Sequence, residues 1–479
     1  MNYSIIRYIL GWVLTLESIF MLLPCVVAVI YQESAGYSFL IVALICFVLG
    51  TLIIRKKPKN QVYFAREGFV TVALSWIVMS FFGALPFVIN GDIPNVINAL
   101  FEVISGFTTT GASILTDVEA LNRCSLFWRS FTHWIGGMGV FVFLLAILPM
   151  AGGYNMHLMR AESPGPSVGK LVPRVKDTAK ILYLIYIVMT VIEIILLLAA
   201  GMPVFDSFTT AFGTAGTGGF GVKNSSMADY SAQIQWIVTI FMILFGVNFN
   251  AYYILLGRHK GNVFKMEELR WYFGIIAVSI GIITFNISGM FENIFTSLRH
   301  SAFQVASIIT TTGFATTDFD QWPQLSKTLL VILMFIGACA GSTGGGIKVS
   351  RIVILFKTVK QEMGYFVHPR SVKVIKMDDK ALDKDTVRSV SAFLVTYVII
   401  FGVSMTILAF DNLDMTSNFT AIAATFNNIG PGLELVGPTG NFSMFSPLAK
   451  CVLMFDMLAG RLELYPVLLL FTPSVWKRK

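Results

Sequence analysis

Four short stretches of the chain place a glycine after small hydroxyl or amide side chains. They read FTTTGAS (residues 107–113), TAGTGGFG (214–221), IITTTGFATTDF (308–319) and FNNIGPG (426–432). Glycine and small residues allow an extended backbone whose carbonyl groups all turn to one side. Carbonyl oxygens in such an arrangement can replace the hydration shell of a monovalent cation. These residues therefore suggest the binding of a dehydrated cation by main-chain oxygens.

The four stretches recur at similar intervals, so we interpret them as diverged copies of an internal repeat. In the second copy, Gly218 and Gly219 compete for the equivalent position. Gly219 is preferred, because the pair Gly219-Phe220 then matches Gly313-Phe314 in the third copy. The four equivalent glycines are Gly111, Gly219, Gly313 and Gly430.

Each stretch is predicted to lie between two spanning helices and to follow a short apolar segment. These short segments cannot cross a bilayer, so we expect re-entrant half-helices. The first helices are predicted at 68–89, 178–200, 271–290 and 387–410. The second helices are predicted at 125–150, 233–257, 325–359 with an interruption, and 445–471. Two further spanning helices, 3–31 and 37–54, precede the repeats.

The composition indicates a polytopic membrane protein. Of 479 residues, 55% are hydrophobic and only 13% are charged, roughly half the usual charged share of about 25% in soluble domains. Several apolar runs match the thickness of the lipid bilayer. The five cysteines are scattered and suggest neither a disulfide framework nor a zinc site.

The net charge of +8 reflects orientation in the membrane rather than nucleic-acid binding. Of 35 Lys and Arg residues, 28 fall in segments that would share one side of the membrane. Those segments are residue 7, 55–66, 160–180, 258–270, 348–388 and 477–479. Basic loops mark the cytoplasm, so both termini are predicted to be cytoplasmic. The glycine stretches then face the outer side.

Irregular backbone inside a membrane is tolerated only where it is buried in protein or lines an aqueous path. Tight packing through small residues would explain the glycines but not the polar residues before them. The predicted fold is therefore an all-α membrane protein with four pseudo-symmetric helix–pore-helix–filter–helix repeats around one central pore, preceded by two extra transmembrane helices. The predicted divisions are 1–66 for the two-helix extension, and 67–150, 151–258, 259–386 and 387–479 for the repeats.

A glycine-rich segment, GACAGSTGGGIK (337–348), interrupts the second helix of the third repeat. Each glycine costs a helix about 1 kcal/mol relative to alanine, so we expect a loop within the membrane, below the glycine stretches. Lys348 lies one residue too late for a phosphate-binding loop. The residues of interest in this segment are Gly337, Gly341, Ser342, Thr343, Gly344, Gly345, Gly346 and Lys348.

Arg461 lies midway along an apolar segment of the fourth repeat. An intramembrane charge is costly and is by default functional. Such a charge is expected to face a cavity or a partner. The alternative is a structural ion pair with Glu463 or Asp456.

No catalytic or cofactor site is predicted on this chain. Residues 216–221 fit the pattern G-x-G-x-x-G, but a half-helix precedes them where the dinucleotide fingerprint requires a strand. The five histidines form no metal-ligand motif, and no nucleophile–base arrangement is visible.

In its four repeated glycine stretches, the chain resembles the pore subunits of the Trk/Ktr/HKT superfamily of potassium-uptake proteins. It is most similar to the bacterial Trk branch, which carries two extra leading helices, and the resemblance covers essentially the whole sequence. It implies a filter in which K⁺ binds main-chain carbonyls. The implied filter residues are Thr109, Thr110, Gly111, Thr217, Gly218, Gly219, Thr311, Thr312, Gly313, Asn428, Ile429 and Gly430.

The resemblance also implies function and partners. A serine at the first filter glycine accompanies sodium selectivity in this family, so Gly111 favours potassium. The implied activity is potassium uptake through a gated, moderately selective pore that also passes Rb⁺ and some Na⁺. Segment 337–346 would be the gate, with Arg461 beside it. A cytosolic nucleotide-binding regulator ring, a homodimer and the bacterial inner membrane are further expectations.

Two points stay open at this level. The basic segment 348–388 could be a docking surface for the regulator, or simply an orientation signal. A symporter that couples K⁺ to Na⁺ or H⁺ would need an intramembrane acid facing the path. The candidates for that acid are Glu102, Glu193, Asp456 and Glu463. A membrane-embedded enzyme is a remote third class.

Overall fold

The computed structural model describes residues 1–58, 65–139, 175–256, 263, 265–370 and 373–476. The first part comprises α1 (Tyr3–Phe20), α2 (Leu22–Tyr31), α3 (Gly36–Ile54), α4 (Ala65–Asn90), α5 (Val96–Phe107), α6 (Arg123–Met138), α7 (Val175–Ala199), α8 (Val204–Gly216), α9 (Ala232–Phe245) and α10 (Phe249–Leu256). The second part comprises α11 (Glu267–Asn286), α12 (Ile294–Ile309), α13 (Gln324–Ile336), α14 (Val349–Val367), β1 (Lys376–Met377), β2 (Lys380–Ala381), α15 (Lys384–Leu408), α16 (Met415–Phe426), α17 (Pro447–Arg461), α18 (Tyr465–Leu470) and α19 (Pro473–Trp476). Short 3₁₀ turns cover Ser288–Met290, Phe319–Gln321, Ala409–Asp411 and Glu434–Val436.

Within these described residues, six helices are long and apolar enough to cross a membrane, or up to seven if a bent pair counts as one span. The six are Tyr3–Tyr31, Gly36–Ile54, Arg66–Asn90, Ala179–Ala199, Glu267–Asn286 and Lys384–Asp411. They correspond to the two leading helices and to the first helix predicted in front of each glycine stretch. Large apolar side chains such as Phe285 and Val398 are exposed on them, as expected where lipid is the solvent.

The four short apolar segments form the helices α5, α8, α12 and α16, of 12, 13, 16 and 12 residues. Side-chain caps fix where three of them begin. Asn95 accepts a hydrogen bond from the Ile97 N–H at 2.9 Å, and Asn293 and Asp414 cap α12 and α16 in the same way. A capped start and a polar end keep these half-helices shorter than a bilayer span.

The second helices differ from the prediction in two repeats. Only the third was expected to be interrupted, but α9 and α10 bend by 91°, and α17 ends at Arg461 before α18 begins. The predicted continuous helices 233–257 and 445–471 are therefore wrong. In the fourth repeat, Glu463 and Leu464 adopt positive φ values of 61° and 66°, which a right-handed helix cannot accommodate.

In the first repeat, α6 ends at Met138, where Gly139 has a φ of +81°. The remainder of the predicted helix 125–150 lies outside the described residues, as do the division at 150/151 and the basic residues 477–479. The predicted domain divisions stay predictions.

Aromatic packing fixes α5 between α4 and α6. The indole of Trp128 lies edge-on to Phe39 and Phe107, with ring centroids 6.1 Å apart in both cases. Its Nε1–H donates to the Gly83 carbonyl of α4 at 3.1 Å. This buried cluster sets the position at which the first glycine stretch leaves its half-helix.

Candidate ion site and the loop beneath it

All four half-helices end in the same backbone turn. The second residue before each equivalent glycine is left-handed, with φ between 55° and 59°, and the next residue donates its N–H to the carbonyl five residues back at 2.8 Å. This is the Schellman arrangement that closes helix C-termini. The left-handed residues are Thr109, Thr217, Thr311 and Asn428. The donor–acceptor pairs are Thr110–Ser105, Gly218–Gly213, Thr312–Ser307 and Ile429–Ala424.

The equivalent glycines share a second backbone feature. Gly111, Gly219, Gly313 and Gly430 have φ values of 78°, 75°, 86° and 99°. Gly218 does not adopt a positive φ. A Cβ on Gly218 would collide with the imidazole ring of His133. The structure thus places Gly219, rather than Gly218, at the position equivalent to the other three.

The four stretches contact one another in a closed cycle. A Cβ added to each equivalent glycine would lie too close to the carbonyl oxygen of the residue that precedes the next equivalent glycine. The contacts are Gly111 with Gly218 O, Gly219 with Thr312 O, Gly313 with Ile429 O, and Gly430 with Thr110 O. Glycine is required here for close approach as well as for its φ angle. Main-chain oxygens of all four stretches therefore gather at one place.

The closed cycle of the four stretches is called the ring below. An open cavity of about 170 Å³ lies against it and is lined by all four equivalent glycines. Its lining also includes Val118, Lys223 and Asn224. The amide of Asn224 donates to Asp117 at 2.8 Å, and this hydrogen bond lowers the pKa of the Asp117 carboxyl. The charged form of Asp117 is thus favoured in the loop that carries Val118.

Hydrogen bonds between polar side chains hold the stretches in place. The Thr108 and Thr110 hydroxyls are 2.8 Å apart, and those of Thr310 and Thr312 are 2.7 Å apart. In the fourth stretch, the Asn428 amide donates to the Thr110 hydroxyl and to the Met457 carbonyl, both at 2.9 Å. The last stretch is thus tied to the first, although 318 residues separate them.

A buried ion pair stands behind the first stretch. Glu102 and Arg129 approach to 2.7 Å, with their side chains 0% and 2% exposed. Glu102 also accepts from the Ser113 hydroxyl and the Ile114 N–H. Glu102 was considered above as a coupling acid, whereas Arg129 was missed, because 27 residues separate the partners and no local pattern joins them.

His133 joins two of the stretches. Its Nδ1 lies 2.8 Å from the Gly106 carbonyl, and its Nε2 lies 3.2 Å from the Phe220 N–H. A neutral ring with its proton on Nδ1 satisfies both contacts, donating to Gly106 and accepting from Phe220. The side chain is therefore hydrogen-bonded within the core.

The glycine-rich segment is a loop between α13 and α14, and it packs directly beneath the stretches. The Gly345 N–H donates to the Thr311 hydroxyl at 2.6 Å. A Cβ on Gly345 would collide with the Asn427 carbonyl, and one on Gly344 would lie 2.9 Å from the Thr310 carbonyl. Gly337, Gly341 and Gly346 have positive φ, as the loop prediction requires.

Arg461 connects this loop to the first repeat. Its guanidinium donates to the Thr343 and Gly137 carbonyls, both at 2.7 Å, and to the Gly136 carbonyl. Within the loop, the Lys348 ammonium donates to the Gly344 carbonyl. The Ser342 hydroxyl donates to the Cys339 carbonyl at 2.6 Å.

The other candidate acids have partners or buried positions of their own. Glu463 pairs with Arg351, and Asp456 accepts from the Ser404 hydroxyl at 2.9 Å. Glu193 is fully buried in α7. Among the residues that the structure describes, no group of three or more His, Cys, Asp or Glu side chains could hold a metal ion.

The fold and the ring of carbonyl oxygens define a class, the multi-pass helical membrane proteins that handle cations. The chain belongs to the TrkH family of cation transport proteins, whose family model matches residues 37–478. It is 38% identical to the Trk system potassium uptake protein TrkH of Salmonella typhimurium and to that of Escherichia coli K12, over 100% of both chains in each case. The crystal structure of the potassium transporter TrkH from Vibrio parahaemolyticus superposes with a TM-score of 0.89 at 35% identity, over 100% of both chains.

These comparisons confirm the resemblance to the Trk branch and the prediction of a helical, multi-pass membrane protein. Membership of a transport family also confirms that the chain is not an enzyme.

Proposed function

We propose that this protein takes up potassium ions across a bacterial cytoplasmic membrane. The observation that carries this proposal is the closed cycle of four glycine stretches, which gathers main-chain oxygens around one axis. Such oxygens can substitute for the water around K⁺, and the half-helices direct their negative C-terminal ends toward the same place. Full-length relatives that are named potassium uptake proteins support the choice of ion.

The proposed selectivity is moderate. Each stretch offers one equivalent glycine, whereas the filter strands of tetrameric potassium channels carry two in the sequence TVGYG. With one glycine in each stretch, fewer residues can adopt the conformation that turns a carbonyl toward the axis. We therefore expect fewer layers of carbonyl oxygens that coordinate the ion. We therefore expect Rb⁺ to pass readily and Na⁺ to pass to some extent.

The loop 337–346 is the proposed gate. It lies against Thr310, Thr311 and Asn427 at the inner side of the ring, so an ion leaving the ring meets the loop next. Arg461 adds a positive charge at this level and bridges the loop to α6. Transport then requires the loop and the guanidinium to move aside.

Regulation by a cytosolic nucleotide-binding partner is also proposed, because the relatives are named as parts of a Trk system. The basic segment that contains α14 and the hairpin β1–β2 follows the gate loop directly, which suits a docking surface. We further propose a homodimer, and cytoplasmic positions for both termini on the basis of the basic loops.

A cation-flux assay in liposomes tests the function. Purified protein, with and without its regulator, should carry K⁺ and Rb⁺ well, Na⁺ less and Li⁺ least; empty liposomes provide the baseline. The absence of Rb⁺ flux under both conditions would contradict the proposal. Uptake that depends on Na⁺ or on a pH gradient would instead favour the symporter.

A further inference from the structure

Two adjacent carboxylates in the first turn of α11 make contacts in different directions. Glu268 is 5% exposed, and its Oε1 accepts the Ala340 N–H at 2.7 Å and the Ser350 N–H at 3.2 Å. Ala340 belongs to the loop 337–348, and Ser350 belongs to the first turn of α14. A single carboxylate oxygen therefore holds the two limbs of the loop together.

These two bonds are of the stronger kind. Carboxylate acceptors form charge-assisted hydrogen bonds that are about twice as strong as neutral ones. The Ser350 bond also places a negative charge at the N-terminus of α14, where the helix dipole stabilises it. The loop cannot move away from α14 without breaking at least the bond to Ala340.

Glu267, the neighbouring residue, contacts the cytosolic hairpin. Its carboxylate pairs with Lys357 at 2.6 Å, and the same ammonium donates to the Lys376 carbonyl of β1 at 2.6 Å. The Glu267 N–H donates to Asp378 at 2.6 Å. Asp378 and Asp379 form the two-residue turn of the hairpin, with φ values of 50° and 62°, as expected for a type I′ turn.

We propose that the first turn of α11 is a mechanical relay between the hairpin β1–β2 and the loop, with Glu268 as the positioning residue that holds the loop in place. Displacement of the hairpin moves the Glu267–Glu268 turn and withdraws the acceptor from Ala340. The effect of the relay on ion flux rests on the proposed function, whereas its effect on the position of the loop does not.

Cys339 supplies a readout that is independent of transport. This thiol lies in the loop beside Ala340 and is fully buried, so a thiol reagent reaches it only when the loop moves. The test uses the full-length chain in liposomes, with the other four cysteines replaced by alanine. Glu268→Gln should increase the rate of Cys339 labelling by about tenfold. The matched control, Glu362→Gln, changes an exposed carboxyl of α14 and should leave the rate unchanged.

The hairpin end of the relay is tested by Asp378→Asn, with Asp379→Asn in the same turn as its control. Both side chains are exposed, so neither change threatens folding. Asp378→Asn should increase the rate of Cys339 labelling less than Glu268→Gln does. The double variant Glu268→Gln/Asp378→Asn should be labelled no faster than Glu268→Gln alone. If Glu268→Gln fails to fold, the labelling rates of Asp378→Asn and Asp379→Asn test the relay on their own.

The outcomes separate this inference from the function on which it builds. Unchanged labelling in folded Glu268→Gln or in Asp378→Asn would overturn the relay. Faster labelling together with higher basal K⁺ flux supports both the relay and the gate. Faster labelling without any change in flux leaves the relay standing and removes the loop from the role of gate.

Discussion

At the residue scale, the site depends on backbone angles more than on side-chain chemistry. The four glycines that share a positive φ and a close backbone contact could be picked out from their repeated position after polar residues. The left-handed turn two residues earlier could not, because threonine at Thr109, Thr217 and Thr311 does not favour positive φ. Helix-end hydrogen bonds impose that conformation against local preference, and no one-residue rule anticipates it.

Gly313→Ser should reduce the preference for potassium over sodium. The added side chain is strained at a φ of 86° and collides with the Ile429 carbonyl, so the ring must widen on one side. We expect the K⁺/Na⁺ flux ratio to fall by about tenfold, or about 1.4 kcal/mol. Gly281→Ser is the control, because a Cβ there has no neighbour within 4 Å. An unchanged ratio would remove Gly313 from the filter.

Arg461→Ala should increase basal flux, by about tenfold, because it removes both a positive charge and the bridge from Thr343 to Gly137. Arg461→Lys keeps the charge but loses the forked geometry of the guanidinium. Comparing Rb⁺ flux in the two variants separates the effect of the positive charge from the effect of the hydrogen bonds that bridge Thr343 and Gly137. Flux at or below the wild-type level in folded Arg461→Ala would refute a barrier role.

At the element scale, the first and second helices of the repeats behave differently. The first helices are long and continuous, and apolar run length predicted them well. Among the described residues, the second helices of the second, third and fourth repeats are interrupted. Only the interruption in the third repeat could be predicted, since its glycine cluster is explicit. The break after Arg461 arises at Glu463 and Leu464, which are ordinary helix formers in isolation. Tertiary contacts override propensity there.

Glu102→Gln should destabilise the protein by about 3–5 kcal/mol, because it leaves Arg129 buried without a counter-charge. Asp320→Asn is a useful comparison. Its partner Lys327 is 3.6 Å away, and both side chains are 20% exposed, so we expect a loss of less than about 1 kcal/mol. Thermal unfolding in detergent measures both. Equal decreases in the unfolding temperature of the two variants would mean that the buried pair contributes no more to stability than the partly exposed one.

At the scale of the whole molecule, the ring closes through contacts between the first and last repeats. Convergence of the four stretches was predictable from their repetition. The partners of each contact were not, because they lie hundreds of residues apart and depend on the cyclic order of packing. Besides the amide of Asn428, the Phe442 N–H donates to the Ser113 carbonyl at 2.8 Å across this junction.

Asn428→Ala should weaken that junction. The variant loses hydrogen bonds to Thr110 and Met457, which predicts a decrease of about 1–3 kcal/mol in the free energy of unfolding. Asn441→Ala is the control, since its side chain bonds locally to the Ser443 N–H. Chemical denaturation in detergent compares them. If both variants unfold at the same denaturant concentration as the wild type, the amide does not hold the ring closed.

The amide of Asn428 binds a hydroxyl that belongs to a different quarter of the ring. In a tetramer of identical subunits, any such residue would appear four times, and each asparagine would need the same neighbour. A single gene that encodes all four quarters is free of that restriction. Each quarter can therefore specialise separately, and an inherited substitution alters one side of the ring while the other three keep their original chemistry.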